Sequence, residues 1–269
     1  MAGFKKLSVS SLMFIYIVIS TWGPILASEK VPHIRNDEIF FTFFQLPDGE
    51  ASLIQTGQGK NILINTGSRA SEDNLLFQME ELNITTIDYL VLTKQSEDYC
   101  ANANRLAERY QISRVVHTGN LNETCKNQVT DDLKEVTWGS NDVNQLSDDL
   151  FFKVLNAEAS GEMSLGISYG DTSVMYLSNS DLEDEDELLT HNYKPEILKI
   201  GDYARGESPS EELLTQIDPH LGIVFHSKSG RPNEGLIERL NESWIDVYQL
   251  EEVGTTIIRM NLHDYEILS

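Results

Sequence analysis

Short apolar runs bounded by turn residues, alternating with stretches of helical spacing, make up most of this chain. Ile39–Leu46 and Ala51–Thr56 read as strands joined by the turn Pro47-Asp48-Gly49, and Asn61–Asn65 as a third, apolar at Ile62, Leu63 and Ile64. Ser71–Leu82 places Leu75, Leu76, Met79 and Leu82 at helical intervals. Strand Ile87–Leu92, helix Ala101–Tyr110 and strand Arg114–His117 continue a βαβ rhythm. The charged stretch from Asn120 to Asp149 shows no clear period. A second series follows, with strands at Leu150–Leu155, Ser164–Tyr169 and Ser173–Leu177, then a helix at Glu185–His191 and a strand at Glu196–Ile200. Helix Ser210–Gln216, strand Leu221–Phe225, helix Asn233–Glu242 and strands Trp244–Gln249, Thr255–Met260 and Tyr265–Leu268 complete it. Two halves of mixed strands with outer helices predict an α/β (α+β) fold, two packed sheets covered by helices on both sides.

The N-terminus reads differently. Lys5 and Lys6 precede an apolar run from Leu12 to Ile19, Gly23-Pro24 breaks it, and Ile25-Leu26-Ala27 offers a small residue before Ser28. This pattern predicts a signal peptide over residues 1–27. The alternative is an uncleaved membrane anchor, since Leu7 to Leu26 is about long enough to span a bilayer. Residues 28–38 are polar, hold Pro32 and read as a linker, which leaves 39–269 as one domain outside the cytoplasm, secreted or tethered.

The formal net charge of −23 disfavours nucleic acid as a partner, because Lys and Arg are scattered singly and an acidic surface repels phosphates. Cys100 and Cys125 are the two cysteines, and in an oxidising compartment they either pair or stay as buried thiols. Three Asn-x-Ser/Thr triplets begin at Asn83, Asn122 and Asn241, a pattern that arises often by chance.

Five segments in order resemble the metallo-β-lactamase fold, in the branch formed by the soluble C-terminal domain of ComEC-type DNA-uptake proteins. Phe43-Phe44-Gln45-Leu46-Pro47-Asp48-Gly49-Glu50-Ala51 is similar to that branch's opening Phe-Leu-Asp-Val-Gly-Gln-Gly-Asp-Ala. Leu63-Ile64-Asn65-Thr66-Gly67 resembles its Leu-Ile-Asp-Thr-Gly, and Ser164-Leu165 with Leu177-Ser178-Asn179-Ser180 its Ser-Leu and Leu-Thr-Gly-Asp. Leu198-Lys199-Ile200-Gly201-Asp202-Tyr203-Ala204-Arg205 resembles Leu-Lys-Val-Gly-His-His-Gly-Ser, and Gly230-Arg231-Pro232 the late Gly-His-Pro. The resemblance implies an αββα four-layer sandwich of metallo-β-lactamase type.

It also implies a two-metal hydrolase, and here the residues disagree. The strand ending at Leu92 runs into Thr93-Lys94-Gln95-Ser96-Glu97-Asp98-Tyr99, where the fold carries Thr-His-x-His/Asp-x-Asp-His. Lys94, Ser96 and Tyr99 stand at ligand positions, Asp98 alone remains, and Ser180 replaces the bridging carboxylate. Asp202, Tyr203 and Arg231 take the places of later histidines, and Asn65 that of an aspartate. A lysine ammonium has no lone pair to offer and repels a metal cation. The sequence therefore predicts a pseudoenzyme with no metal cofactor and no catalytic residue. Its vestigial active-site face, Asn65, Lys94, Ser96, Asp98, Tyr99, Ser180, Asp202, Tyr203 and Arg231, would bind an extracellular ligand or protein. Lys94 or Arg231 is expected to pair with Asp98 or Asp202, with a tyrosine hydroxyl completing the network. The rival readings are a hydrolase or nuclease with one weakly held divalent metal at Asp98 and Asp202, and a DNA-uptake accessory.

The remaining candidates are weaker. The acidic run Asp181–Glu187 lacks the spacing of a calcium loop and reads as a helix start. Ser210 reads as a helix N-cap, and no two histidines fall at ligand spacing. His117 ends a strand near the site and is the histidine worth checking.

Overall fold

The computed structural model describes residues 33–129 and 133–268. The leader and the first part of the linker lie outside the described residues. No described helix is long and apolar enough to cross a membrane.

In the first half the strands are β1 (Glu38–Phe43), β2 (Ser52–Thr56), β3 (Asn61–Ile64), β4 (Thr86–Ile87), β5 (Tyr89–Val91), β6 (Gln111–Ile112), β7 (Val115–His117) and β8 (Glu135–Thr137). Helices α1 (Glu72–Glu81), α2 (Glu97–Cys100), α3 (Ala103–Arg109) and α4 (Glu123–Lys126) lie between them. The second half holds β9 (Val143–Ser147), β10 (Leu150–Ala157), β11 (Met163–Tyr169), β12 (Thr172–Tyr176), β13 (Ile197–Lys199), β14 (Leu221–Val224), β15 (Asp246–Gln249), β16 (Thr256–Asn261) and β17 (Tyr265–Leu268). Its helices are α5 (Glu185–Thr190), α6 (Glu211–Ile217), α7 (Glu234–Glu242) and α8 (Leu250–Val253).

The strands form an eight-stranded sheet in the order β17-β16-β1-β2-β3-β5-β7-β8 and a seven-stranded sheet in the order β15-β14-β13-β12-β11-β10-β9, with β4 and β6 as a small extra pair. The last hairpin returns to the first sheet, where Phe41 faces Ile258 across β1 and β16. Strand alternation explains the layering. Ile39, Phe41, Phe43, Ile54 and Ile64 meet Val154, Leu165, Val174 and Ile197 of the other sheet in one inter-sheet core. The opposite faces carry Leu53, Leu63 and Leu90 under α1 and α3, and Met175 and Leu198 under α5, α6 and α7. Both faces of each sheet are buried, which is why the strands read as continuous apolar runs rather than clean alternations.

Three departures from the sequence reading have local causes. The strand expected at Ile87–Leu92 is split at Asp88, whose carboxylate accepts from Lys60 Nζ at 2.7 Å and from the Asn61 amide at 3.0 Å. The helix expected from Ala101 is broken at Asn102, whose side-chain amide donates to the Thr66 and Ser68 carbonyls at 2.8 Å each. The unassigned stretch contributes α4, β8 and β9, short elements with few apolar residues to mark them. Ser210 does cap its helix, accepting from the Leu213 amide. The acidic run 181–187 does open a helix, with Glu185 buried and accepting from Ser208 Oγ and the Ser210 amide.

Candidate functional site

Loops leaving the C-terminal ends of β3, β5, β12, β13 and β14 bring most of the expected residues to one end of the two sheets, where α/β folds gather their binding groups. At the centre Lys94 Nζ lies 2.8 Å from Asp202 Oδ1 and 3.3 Å from Glu162 Oε1. Tyr99 Oη donates to the same Asp202 oxygen at 3.5 Å, and Ser180 Oγ to the other oxygen at 3.5 Å. The three charged side chains are 18–23% exposed, so the cluster is half-buried. Burial alone would lower the pKa of Lys94, but the Asp202 and Glu162 carboxylates outweigh it and hold the ammonium above its ordinary value. Burial raises the Glu162 carboxyl, against the charge of Lys94.

Beneath this cluster lies a second, fully enclosed one. β13 points Ile197 into the inter-sheet core, and a period of two sends Lys199 the same way. Lys199 Nζ meets Glu50 Oε2 at 2.5 Å, both side chains being 0% exposed. The ammonium also donates to the Leu177 carbonyl at 2.9 Å and stands 4.5 Å from the centre of the Tyr176 ring. Glu50 Oε1 accepts from Asn65 Nδ2 at 2.8 Å and from Tyr176 Oη at 3.2 Å. Asn65 also bonds Thr93, its Nδ2 donating to Thr93 Oγ1 and its Oδ1 accepting from the Thr93 amide, both at 2.8 Å. Burial pushes the Glu50 carboxyl up and the Lys199 ammonium down, each opposed by the partner's charge.

The backbone here is strained. Asp202, Tyr203 and Ala204 have φ of 43°, 60° and 57°, three successive left-handed residues without a glycine, at about 1–2 kcal/mol each. Gly201 must precede them, because a Cβ there would lie 1.8 Å from the Asn179 carbonyl oxygen. The turn aims Asp202 at Lys94 and places the Tyr203 ring 6.0 Å from that of Tyr99. The Tyr203 hydroxyl is buried beside the Asp98 carboxylate and the Tyr99 hydroxyl, while Arg205 stacks 5.0 Å over its ring. Burial raises the pKa of Asp98, then the charge of Asp48, against Tyr203 and Arg205, which lower it.

Several expectations need correction. Asn65 is fully buried in the lower network and offers nothing to an external ligand. The expected pairing of Lys94 or Arg231 with Asp98 or Asp202 is made by Lys94 and Asp202 with Tyr99 Oη joining it, and Asp98 makes no ion pair among the described residues. Arg231 is exposed and lines a cleft beside α7, so only Lys94 of the two expected cations reaches the cluster. Ser96 contributes its carbonyl, which accepts from the Tyr99 and Cys100 amides, rather than its hydroxyl. His117 pairs with Glu135 at 3.3 Å. Glu162 joins the cluster from a polar turn with no motif around it, so no sequence signal marks it. Lys199 gave a signal, a lone charge inside the apolar run Ile197–Ile200 that needs a buried partner.

Cys100 and Cys125 are joined, with Cα atoms 5.6 Å apart. The bond ties α2, which carries Asp98 and Tyr99, to α4.

The donor set does not fit a two-metal centre. The oxygens of Asp202 and Glu162 are already turned toward a fixed ammonium. Among the described residues no three His, Cys, Asp or Glu side chains converge as ligands.

The chain is 25% identical to ComE operon protein 3 of Bacillus subtilis over an alignment of 268 residues that covers 81% of this chain. It spans only 34% of that relative's length. Among solved structures, the metallo-β-lactamase fold protein YhfI of Bacillus subtilis superimposes with a TM-score of 0.61 at 13% identity, over 86% of this chain and all of that one. The chain has a metallo-β-lactamase fold. A metal-dependent hydrolase from Parabacteroides distasonis, itself described as putative, has the same fold, with a TM-score of 0.54 at 11% identity over 78% of this chain and 92% of that one. No protein-family model matches the chain.

Proposed function

We propose that this metallo-β-lactamase-fold protein is a non-catalytic descendant that works outside the cytoplasm by binding, in a process related to DNA uptake. The observation that carries the reading is the Lys94 ammonium held between Asp202 and Glu162, where hydrolases of this fold keep metal. A fixed cation neutralises the carboxylates but cannot generate a hydroxide nucleophile, for which a metal-bound water is needed. The predicted leader and the Cys100–Cys125 bond support an oxidising compartment. The relation to ComE operon protein 3 supports the link to competence. The charge of −23 argues that the contact is with protein rather than with DNA itself.

Elemental analysis of protein purified without chelator tests this, together with phosphodiesterase and β-lactamase assays in added zinc or manganese. Substoichiometric metal and no turnover above buffer are expected. Metal-dependent turnover that disappears in Asp98→Ala would refute the proposal and favour a rebuilt one-metal hydrolase.

A further inference from the structure

Outside the vacated site, a cleft of about 940 Å³ runs between α7 and α8. Glu234, Glu238 and Glu242 line it from α7, Glu251 and Glu252 from α8, and Ile237 supplies an apolar patch. We propose that this groove docks an extended, lysine- or arginine-bearing segment of a partner polypeptide.

Glu234, Glu238 and Glu242 follow one another at intervals of four, so like charges face each other along one helix side. Glu242 also lies at the C-terminal end of α7, where the helix dipole disfavours an anion. Arg239, the cation in that last turn, is engaged elsewhere, donating to the Glu207 and Pro209 carbonyls at 2.7 and 2.8 Å. Of the five carboxylates only Glu251 has an ion-pair partner among the described residues, His226 at 3.0 Å. Arg231 is the one lysine or arginine among the lining residues. The free helix is therefore left with a repulsion that a cationic segment would relieve.

Three further observations point to a polypeptide rather than a dissolved ion. Trp244, two residues beyond Glu242, is 94% exposed and has φ of 61°, a left-handed conformation that a bulky residue rarely adopts. An exposed aromatic ring held in a costly conformation suits a contact anchor. β15, whose Gln249 lines the groove, is an edge of its sheet among the described strands, pairing there with β14, so its outer side can take an added strand. At the inner end, Pro232, Gln249 and Glu251 are shared with a small cavity, which lengthens the groove beyond what a single ion would fill.

The test uses purified protein and a fluorescein-labelled lysine dodecamer at low salt, read by anisotropy and by tryptophan emission. Trp138 is 3% exposed, so Trp244 is the accessible reporter in the described domain. Binding is expected, with no binding of a glutamate dodecamer. The triple variant Glu234→Gln/Glu238→Gln/Glu242→Gln should weaken it about tenfold, and Asp73→Asn/Glu81→Gln/Glu123→Gln, which removes equal charge elsewhere, less than about twofold. The emission change should vanish in Trp244→Phe. Equal losses in the two triple variants, an emission change that survives Trp244→Phe, or the same response to spermine or calcium alone would overturn the proposal.

Discussion

Lys199 and Glu50 meet at 2.5 Å in the space between the two sheets, with neither side chain exposed to solvent. A charge pair so enclosed is costly to desolvate and is held by the surrounding donors and rings, so its worth lies in keeping both members. Lys199→Met should leave Glu50 uncompensated and cost about 3–5 kcal/mol in urea unfolding. The double variant Lys199→Met/Glu50→Leu should recover a large part of that loss. A double variant as unstable as the two single losses added together would show that the two residues are not coupled.

The upper pair is wetter and should be worth less. Lys94→Ala is expected to lower stability by about 1–3 kcal/mol, discounted for partial exposure, while Lys94→Arg keeps most of it. A melting curve for Lys94→Ala that overlays the parent would mean that the cluster contributes nothing to the fold.

Alkaline titration should separate Lys94 from other groups. Its folded pKa is raised above the ordinary 10.5, so its contribution is complete below that value and is lost as pH climbs through the higher folded pKa. Comparing the parent with Lys94→Gln, the stability gap should be constant through neutral pH and close above about pH 10.5. A gap that closes instead between pH 4 and 7 would assign the effect to the carboxylates.

Asp98 should behave in the opposite sense to a salt-bridged aspartate. Its folded pKa is raised, by burial first and by Asp48 second, so the folded state prefers it protonated. Its contribution is present below the ordinary 3.8 and is lost as pH rises through the folded value. Asp98→Asn should therefore match or exceed the parent's stability at neutral pH, and the parent should gain on it in acid. Urea midpoints across pH 3 to 7 measure this, and a variant that is weaker at pH 7 but equal at pH 3 would contradict it.

The Cys100–Cys125 bond closes a chain segment with a sequence separation of 25, which by loop entropy is worth about 3–4 kcal/mol. Cys100→Ser/Cys125→Ser should lose about that much in thermal or urea unfolding. Because α2 carries Tyr99, the paired loss of α2 protection in hydrogen exchange is expected as well.

The sequence by itself determined the layers of this protein and the chemistry of the residues at its strand ends. Apolar runs such as Ile62-Leu63-Ile64 are buried on both faces whatever the loops do, because the two-residue period is a property of the extended chain. Lysine at position 94 in place of a metal ligand was likewise legible, since its chemistry is local. Tertiary structure alone decided which carboxylates Lys94 meets. Asp202 is 108 residues away, and it reaches the ammonium through a left-handed turn that no periodicity encodes. Glu162 joins from a turn without a motif, Arg231 leaves for the α7 cleft, and Asn65 sinks into the Glu50 network. Pattern fixes the direction of a side chain within its own strand or helix. Contact between loops depends on where several distant strand ends are brought together, and only the packed sheets decide that.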